Sequence, residues 1–188
     1  MKNALVVDDE HLIRMQVVEV LENYGFDNIY QADNGADALP LAQEHRPLVT
    51  VMDFSMPQMN GIEAARQINN NPCGAIILLT GVVDDSTVTS AMDAGIHQYL
   101  IKPFNERQLG ICIDLAIKQF IELSSLHEEV HKLKNALDTK EIVARAKGIL
   151  IKKGLSEPQA HRRMQKLSMD RRKSLKEIAA AIIEQGNM

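Results

Sequence analysis

Hydrophobic residues follow two different periods along the first 104 residues of the chain. Short apolar runs alternate with longer stretches in which apolar side chains recur every three or four positions. The short runs lie at 4–7, 28–31, 48–52, 75–79 and 98–101. Nearly continuous apolar runs are typical of strands covered on both faces, whereas the longer period is typical of amphipathic helices.

The predicted helices have residues at their ends that commonly start or stop a helix. Asn34 is suited to cap a helix that begins at position 35, and Gly25, Pro47 and Gly95 each follow a helical stretch that they end. The predicted helices cover 11–24, 35–44, 61–70 and 85–94. Regular alternation of strand and helix predicts an α/β fold with a doubly wound, five-stranded parallel sheet and right-handed crossovers.

From residue 105 onwards the pattern is helical throughout. Asn105 and Gln108 form a predicted capping box, and no Pro or Gly occurs between Ile111 and Lys147, which predicts one long helix over about 106–152. Further capping boxes, Ser156 with Gln159 and Ser174 with Glu177, predict two short helices over about 157–169 and 175–184. The end of the long helix and these two helices would form a small all-α, three-helix domain.

The middle of the long helix carries a short heptad repeat. Its apolar positions are Leu123, Leu126, Val130, Leu133 and Leu137. In a parallel dimer this register pairs Glu129 with Lys134 of the second copy and places Glu122 near His127 without repulsion. The repeat predicts a coiled-coil dimer seam, and the alternative is an amphipathic helix packed on its own domain.

The charge distribution favours two domains, and the length allows them. A chain of 188 residues is long enough for one large domain or two small ones. Residues 1–120 carry 7 basic and 16 acidic side chains, whereas 121–188 carry 14 basic and 9 acidic ones, and 145–176 carry 11 basic and 2 acidic. We predict an α/β domain at 1–120, a coiled-coil linker helix at 121–135 and a three-helix domain at 136–188.

The sequence predicts a cytoplasmic protein. No apolar run approaches the roughly 18 residues that a membrane span needs, and acidic residues follow within eight positions of the N-terminus, so neither a signal peptide nor a membrane contact is expected. Cys73 and Cys112 are too few for a disulfide framework or a zinc site and are expected to be buried small hydrophobes.

Polar residues stand at the ends of four of the five predicted strands. Asp8 and Asp9 follow the first strand, and Asp53, Thr80 and Lys102 end the third, fourth and fifth. Ligands of parallel α/β sheets bind beyond the carboxyl ends of the strands, so these side chains should converge. Clustered carboxylates repel one another and need a cation, for which hard oxygen donors favour Mg²⁺. Lys102 and Thr80 would offer a charge and a hydroxyl to a phosphate.

This pattern closely resembles the response-regulator receiver domain. The matching segments are VVDDE at 6–10, DFSMPQMNG at 53–61, LTG at 79–81 and YLIKPF at 99–104. The resemblance covers about residues 1–120 and implies that a sensor histidine kinase is the partner that phosphorylates Asp53. It further implies that Asp8, Asp9, Asp53 and the backbone carbonyl of Ser55 hold Mg²⁺.

The receiver resemblance also implies roles for residues at the ends of the fourth and fifth predicted strands and within the fifth. It implies that Lys102 contacts the phosphoryl oxygens, that the Lys102–Pro103 bond is cis, and that Thr80 and Tyr99 are the paired switch residues. A phosphatase with an aspartyl nucleophile is the enzymatic alternative. Such enzymes use a second aspartate two residues on as general acid, and Ser55 stands there. We therefore expect self-phosphorylation and slow self-dephosphorylation without turnover of other substrates.

The basic excess of the C-terminal region favours a phosphate-bearing partner. Its basic pairs and triplets fall at predicted helix ends or turns, where they can cluster: 152–153, 162–163 and 171–173. A solvated helical surface is the alternative. The last predicted helix, SLKEIAAAIIEQ, is mostly apolar and would read the major groove of DNA poorly.

The C-terminal segment resembles the ANTAR domain, an RNA-binding antitermination module. The matching residues lie at 136–137, 146–150 (AKGIL), 154–157 (GLSE), 160, 169–173, 178–179 and 182–183. Lys140, His161 and Met164 depart from the family pattern. The resemblance implies a homodimer that binds hairpins of leader RNA and promotes transcription antitermination. The candidate RNA-binding residues are Arg145, Lys147, Lys152, Arg162, Arg171, Arg172 and Lys173.

Two alternative functions stay open at this point. One is a response regulator that binds DNA, and the other is a receiver-driven dimer that contacts a protein partner. Salt-dependent binding of hairpin RNA without binding of duplex DNA would distinguish RNA recognition from the first, and the absence of both would favour the second.

Overall fold

The structure is a computed structural model that describes residues 2–81 and 85–186. The chain divides into two compact units, 1–124 and 125–188. The first unit is α/β and the second is all-α, as the two periods of the sequence predict.

The first unit contains a five-stranded parallel sheet in the order β2-β1-β3-β4-β5. Its strands are β1 (Asn3–Val7), β2 (Asn28–Ala32), β3 (Val49–Asp53), β4 (Ala75–Thr80) and β5 (Gln98–Ile101). Each strand begins and ends within one residue of its predicted position. The predicted doubly wound, flavodoxin-like fold is therefore confirmed.

Helices cover both faces of this sheet. They are α1 (His11–Asn23), α2 (Gly35–His45), α3 (Gly61–Ile68), α4 (Asp85–Asp93) and the first part of α5 (Glu106–Lys152). The predicted cap is present at α2, where the Asn34 side chain accepts a hydrogen bond from the Asp37 amide at 2.9 Å. The predicted capping box of α5 is also present, with Asn105 and Gln108 hydrogen-bonded to each other's backbone amides.

Alternate residues of the central strands build two separate core layers. Val6, Val51 and Ile77 pack in the layer that contains α1 and α5. Their neighbours Leu5 and Ile76 pack in the layer that contains α2 and α3. The central strands are buried on both faces, which is why their sequences read as continuous apolar runs rather than alternating ones.

The second unit packs the end of α5 with α6 (Glu157–Arg171) and α7 (Leu175–Gly186). Its core consists of Val143, Ala146, Leu150, Ala160, Met164, Ile178 and Ala179. Met164, one of the departures from the ANTAR pattern, is fully buried there. Hydrogen bonds of both predicted capping boxes are present. The Ser156 amide donates to the Gln159 side chain, and the Ser174 amide donates to the Glu177 side chain.

The middle of α5 is exposed around its whole circumference. From Ile121 to Asp138 every residue except Ser124 is exposed. The five apolar heptad positions lie in this segment, with exposed fractions of 42% for Leu123, 57% for Leu126, 43% for Val130, 60% for Leu133 and 65% for Leu137. In the single chain, this helix therefore does not bury its apolar stripe against its own domain, as the alternative interpretation expects.

Two further expectations are tested by burial and helix composition. Cys112 is buried as predicted, but Cys73 is only partly buried, because it lies in the loop before β4 rather than within a core element.

None of the helices among the described residues is both long and apolar enough to cross a membrane.

Candidate functional site

The carboxyl edge of the sheet brings together two buried acids and one lysine. Asp53, at the end of β3, and Asp8, directly after β1, are 6% and 0% exposed. Lys102, directly after β5, places its Nζ 2.5 Å from Oδ1 of Asp53 and 2.7 Å from Oδ2 of Asp8. One ammonium group thus joins two carboxylates that would otherwise repel each other inside the protein.

Hydrogen bonds from the backbone hold the second oxygen of each acid. Oδ2 of Asp53 accepts from the Ser55 amide at 2.7 Å, and Oδ1 of Asp8 accepts from the Glu10 amide at 2.8 Å. Arg14 of α1 donates from Nη1 to the backbone carbonyl of Asp8 at 2.6 Å. Both carboxylates are therefore fixed in orientation by groups outside the acid cluster.

Burial and the ion pairs shift the pKa values of this cluster. Burial raises the pKa of Asp8 above 3.8, and the hydrogen bond from Lys102 only partly opposes this. Burial also lowers the pKa of Lys102, but the hydrogen bonds and charges of Asp53 and Asp8 outweigh it, so the net shift is upward. Lys102 is consequently a cation throughout the neutral pH range, as a group that neutralises phosphate must be.

The loop after Asp53 requires a glycine at position 61. A Cβ at Gly61 would clash with the backbone carbonyl oxygen of Asp53. The Gly61 amide donates to the Phe54 carbonyl at 3.0 Å, and the Phe54 amide donates to the Leu79 carbonyl of β4 at 2.8 Å. This close approach ties the start of α3 to the residue after Asp53 and explains the glycine in the DFSMPQMNG motif.

The remaining residues of the predicted receiver site differ in exposure, and Tyr99 lies within β5 rather than at its carboxyl end. Thr80 is buried at the end of β4, and its carbonyl accepts from the Lys102 amide at 2.8 Å. Tyr99 of β5 is 48% exposed, and Asp9 and Ser55 are exposed. The Lys102–Pro103 bond is cis, as the resemblance implies.

The donor atoms at this edge fit a hard divalent cation. Within residues 2–81 and 85–186, no group of three or more His, Cys, Asp or Glu side chains is placed to hold a metal ion. Asp8 and Asp53 carry two negative charges against the one of Lys102, and Asp9 and Glu10 add more. The set is oxygen-rich and has excess negative charge, which suits Mg²⁺, an ion that keeps several of its own waters and needs few protein ligands.

The second unit presents a basic surface whose members are mostly exposed. The predicted RNA-binding residues with exposed side chains are Arg145, Lys152, Arg162, Arg171, Arg172 and Lys173. The turn after α6 is well ordered by hydrogen bonds, since Ser168 Oγ donates to the Lys173 carbonyl at 2.6 Å and Arg172 adopts a left-handed conformation. Three cations therefore project from one fixed turn.

Lys147 differs from the other basic residues. Its side chain is 24% exposed, and its Nζ lies 3.2 Å from Oε1 of Glu157, in the first turn of α6. At the next residue, Gly148, no atom other than its chain neighbours and the nearby backbone of α5 lies within 4 Å of the position that a Cβ would take. Glu157 was not among the predicted site residues, because its contact with Lys147 depends on how α5 and α6 pack.

Comparison with known proteins agrees with this geometry. The profile of the response regulator receiver domain matches residues 4–114, and that of the ANTAR domain matches 131–183. The chain belongs to the response-regulator family. It combines a receiver domain with an ANTAR domain, as the resemblances in its sequence imply.

Relatives of this response regulator cover either the whole chain or its receiver. The transcriptional regulatory protein PdtaR of Mycobacterium tuberculosis is 38% identical over 97% of this chain and 90% of its own length. A receiver domain protein of Clostridium thermocellum has a TM-score of 0.58 at 31% identity, covering 65% of this chain and 99% of that one. CheY4 of Vibrio cholerae has a TM-score of 0.58 at 28% identity, covering 62% and 98%.

These matches establish the general function of the response regulator. It is a two-component regulator of the ANTAR, RNA-binding type rather than an enzyme. A receiver domain implies a sensor kinase as partner, and an ANTAR domain implies RNA.

Proposed function

We propose that phosphorylation of Asp53 drives the response regulator into a parallel dimer that binds hairpin RNA and promotes transcription antitermination. The observation that carries this proposal is that α5 belongs to both units. Its first part packs Leu109 and Ile113 into the receiver core, and its end packs Ala146 and Leu150 into the second core. Between them lies the exposed heptad segment, so a dimer formed there also pairs the two basic units.

The chemistry of phosphorylation follows from the groups around Asp53. A carboxylate oxygen of Asp53 attacks the phosphorus atom of the donor, and the leaving group departs on the opposite side. Lys102, which is already paired with Asp53, moves its charge to the oxygens of the transferred group. The kinase is a sensor histidine kinase in this proposal.

Receiver domains generally depend on Mg²⁺, and the oxygen donors here fit that ion. Asp8, Asp9, Asp53 and the carbonyl of Ser55 would hold it, and when bound it supplies positive charge to the phosphoryl oxygens. Asp8 is already held at both oxygens by Lys102 and the Glu10 amide. The exposed Asp9 lies at the outer side of the same edge, where its carboxylate is accessible to an ion.

Thr80 and Tyr99 carry the phosphorylation signal in this proposal. Thr80 ends the strand beside Asp53, and its carbonyl is bound to the Lys102 amide. A phosphoryl group on Asp53 offers acceptors to the Thr80 hydroxyl. Tyr99 lies on the neighbouring strand with an exposed ring, which can turn inward once Thr80 has moved.

The dimer seam consists of the exposed heptad residues of α5. Burying Leu123, Leu126, Val130, Leu133 and Leu137 against a second copy removes apolar area from water and supports the segment of α5 that is exposed in the single chain. Parallel orientation is supported by the Glu129–Lys134 pairing between copies.

RNA binds the second unit through two kinds of contact in this proposal. Arg171, Arg172 and Lys173 bind phosphates, together with the exposed Arg145, Lys152 and Arg162. Lys147 contacts a loop base, since single-stranded loop bases can be read by proteins whereas A-form duplex is read poorly. Binding then favours an antiterminator over a terminator hairpin, in the cytoplasm.

The proposed domain boundaries remain 1–120, 121–135 and 136–188. The compact units meet at 124–125, and the family matches leave residues 115–130 between them. The stretch between the family matches overlaps the proposed linker at 121–130, and the boundary between the compact units falls inside it.

The test is a titration of the full chain, treated with acetyl phosphate and Mg²⁺, with fluorescent hairpin RNA and with a duplex DNA of equal length at several salt concentrations. We expect binding of the hairpin alone, and Arg172→Ala should flatten its salt slope by about 0.7 through the loss of one phosphate contact. Equal or stronger binding of DNA would support a DNA-binding regulator instead. Binding of neither would favour a protein partner.

A further inference from the structure

The ion pair between Lys147 and Glu157 places a hydrogen-bond donor beside an acceptor on the surface of the second unit. Lys147 lies on α5 and Glu157 on α6, with 3.2 Å between Nζ and Oε1. The Glu157 side chain is 70% exposed. Within residues 125–186 its other oxygen makes no hydrogen bond, and the high exposure of the side chain leaves that oxygen open to a ligand.

Helix capping does not explain this contact. The amide of Ser156, at the start of α6, is bound by the side chain of Gln159, two residues beyond Glu157. An acid in the first turn interacts favourably with the helix dipole wherever it points, and this does not require Lys147. The Lys147 side chain is 24% exposed, so part of it is open to a ligand.

Such a pair favours a base edge over a phosphate. A phosphate bound to Lys147 would lie beside the Glu157 carboxylate, and like charges at that distance repel. The Watson–Crick edge of a base carries acceptors next to donors. A lysine can only donate and a carboxylate can only accept, so the two groups satisfy neighbouring atoms of one base.

We propose that Lys147 and Glu157 together read the Watson–Crick edge of one unpaired RNA base. Lys147 donates to an acceptor atom of the base, and Glu157 accepts from the donor atom beside it. The edge must be unpaired, because in a duplex it is already occupied. The open space at Gly148, next to Lys147, allows the RNA chain to approach. This inference rests on the proposed RNA-binding function and makes Glu157 a specificity-determining residue.

The experiment uses the full chain, treated with acetyl phosphate and Mg²⁺, and a pool of RNA hairpins with one fixed stem and a randomised loop. Bound hairpins are sequenced for the wild type, Glu157→Ala, Glu157→Gln and the control Glu184→Ala. Glu184 is an exposed glutamate of α7, so its replacement makes the same charge change elsewhere in the unit. Circular dichroism confirms that each variant is folded.

We expect the wild type and Glu184→Ala to enrich the same base at one loop position. Glu157→Ala should lose that preference, and Glu157→Gln should keep part of it because its amide oxygen still accepts. For the best hairpin, Glu157→Ala should weaken binding about tenfold. Hairpins with another base at that position should bind as before, with an unchanged salt slope, since no phosphate contact is lost.

Two results would overturn the inference while leaving RNA binding intact. One is enrichment of the same loop base by Glu157→Ala as by the wild type. The other is tighter binding of every hairpin by Glu157→Ala, which would show that the carboxylate only repels the RNA backbone. If the wild type enriches no hairpin and binds none, the proposed function itself fails and the inference fails with it.

Discussion

The ammonium group of Lys102 lies 2.5 Å from the carboxylate of Asp53, across the carboxyl edge of the sheet. The side chains are 17% and 8% exposed, so the pair is largely shielded from water. In this arrangement the cation that neutralises an incoming phosphoryl group is already in contact with the nucleophile that receives it. The pair therefore already holds the two groups that the chemistry of the receiver needs.

Replacing Lys102 with methionine should slow phosphorylation of Asp53 by acetyl phosphate roughly 100- to 1,000-fold, the usual cost of removing one charge-stabilising group. Mass spectrometry of the intact chain over time measures the rate. Lys118→Met is the matched control, because Lys118 is an exposed lysine paired with Glu122 at the surface. A rate for Lys102→Met equal to that of the control would contradict the role of Lys102.

Asp8→Asn should stabilise the receiver at neutral pH in the presence of EDTA. Burial raises the pKa of Asp8, so the folded state binds the Asp8 proton more tightly than the unfolded state does. Ionisation of Asp8 therefore lowers the free energy of unfolding. The asparagine variant avoids this loss of stability. The loss is complete at pH values above the raised pKa of Asp8 and disappears below its ordinary pKa of 3.8. The difference between variant and wild type should therefore shrink as the pH falls.

Urea unfolding followed by tyrosine fluorescence measures this difference, since the protein has no Trp and its three tyrosines, Tyr24, Tyr30 and Tyr99, all lie in the first unit. An asparagine variant that is less stable than the wild type at pH 7 would show that the Lys102 pair outweighs the cost of burying Asp8.

The positions of the strand-end residues could be predicted from sequence, whereas several of their contacts could not. Asp8, Asp53 and Lys102 each follow or end an apolar run, and parallel strands necessarily bring their ends together. Asp9 is adjacent to Asp8 but exposed, because successive side chains near a strand end point in opposite directions. The bond from Arg14 to the Asp8 carbonyl connects a helix to a strand and has no local sequence signal.

The same distinction holds for the helices. Helix ends were predicted within two residues because caps such as Asn34 and Ser174 act through neighbours three positions away. The contact of Lys147 with Glu157 spans ten positions and a turn, and only the packing of α5 on α6 determines it. The heptad pattern predicts which residues form the apolar stripe, but it does not identify the surface that packs against that stripe.

Replacing both Val130 and Leu133 with aspartate should abolish the dimer under phosphorylating conditions. Burying charges in an apolar seam costs several kcal/mol unless they are paired, and the heptad pattern offers them no partner. The control carries the same two added charges at the outer heptad positions, as His131→Asp with Asn135→Asp. Sedimentation should give a monomer for the seam variant and a dimer for the control. A dimer of unchanged strength in the seam variant would disprove the seam, though not dimerisation through another face.

Gly148→Ala should stabilise the second unit while weakening RNA binding. Alanine is favoured over glycine inside a helix by about 1 kcal/mol, and no atom stands near the position of the new Cβ. The added methyl group would occupy the space that the RNA needs beside Lys147. Thermal unfolding by circular dichroism and hairpin titration give the two readings. Unchanged RNA affinity in the stabilised variant would show that RNA does not approach this position.

The most direct test of the account is the affinity of the full chain for hairpin RNA before and after treatment with acetyl phosphate and Mg²⁺. The wild type and Asp53→Asn are compared, with mass spectrometry to count the phosphoryl groups added to each. The account predicts one phosphoryl group and tighter RNA binding for the wild type, and neither change for Asp53→Asn. Phosphorylation of Asp53 with no change in RNA affinity, or equal labelling of the asparagine variant, would contradict it.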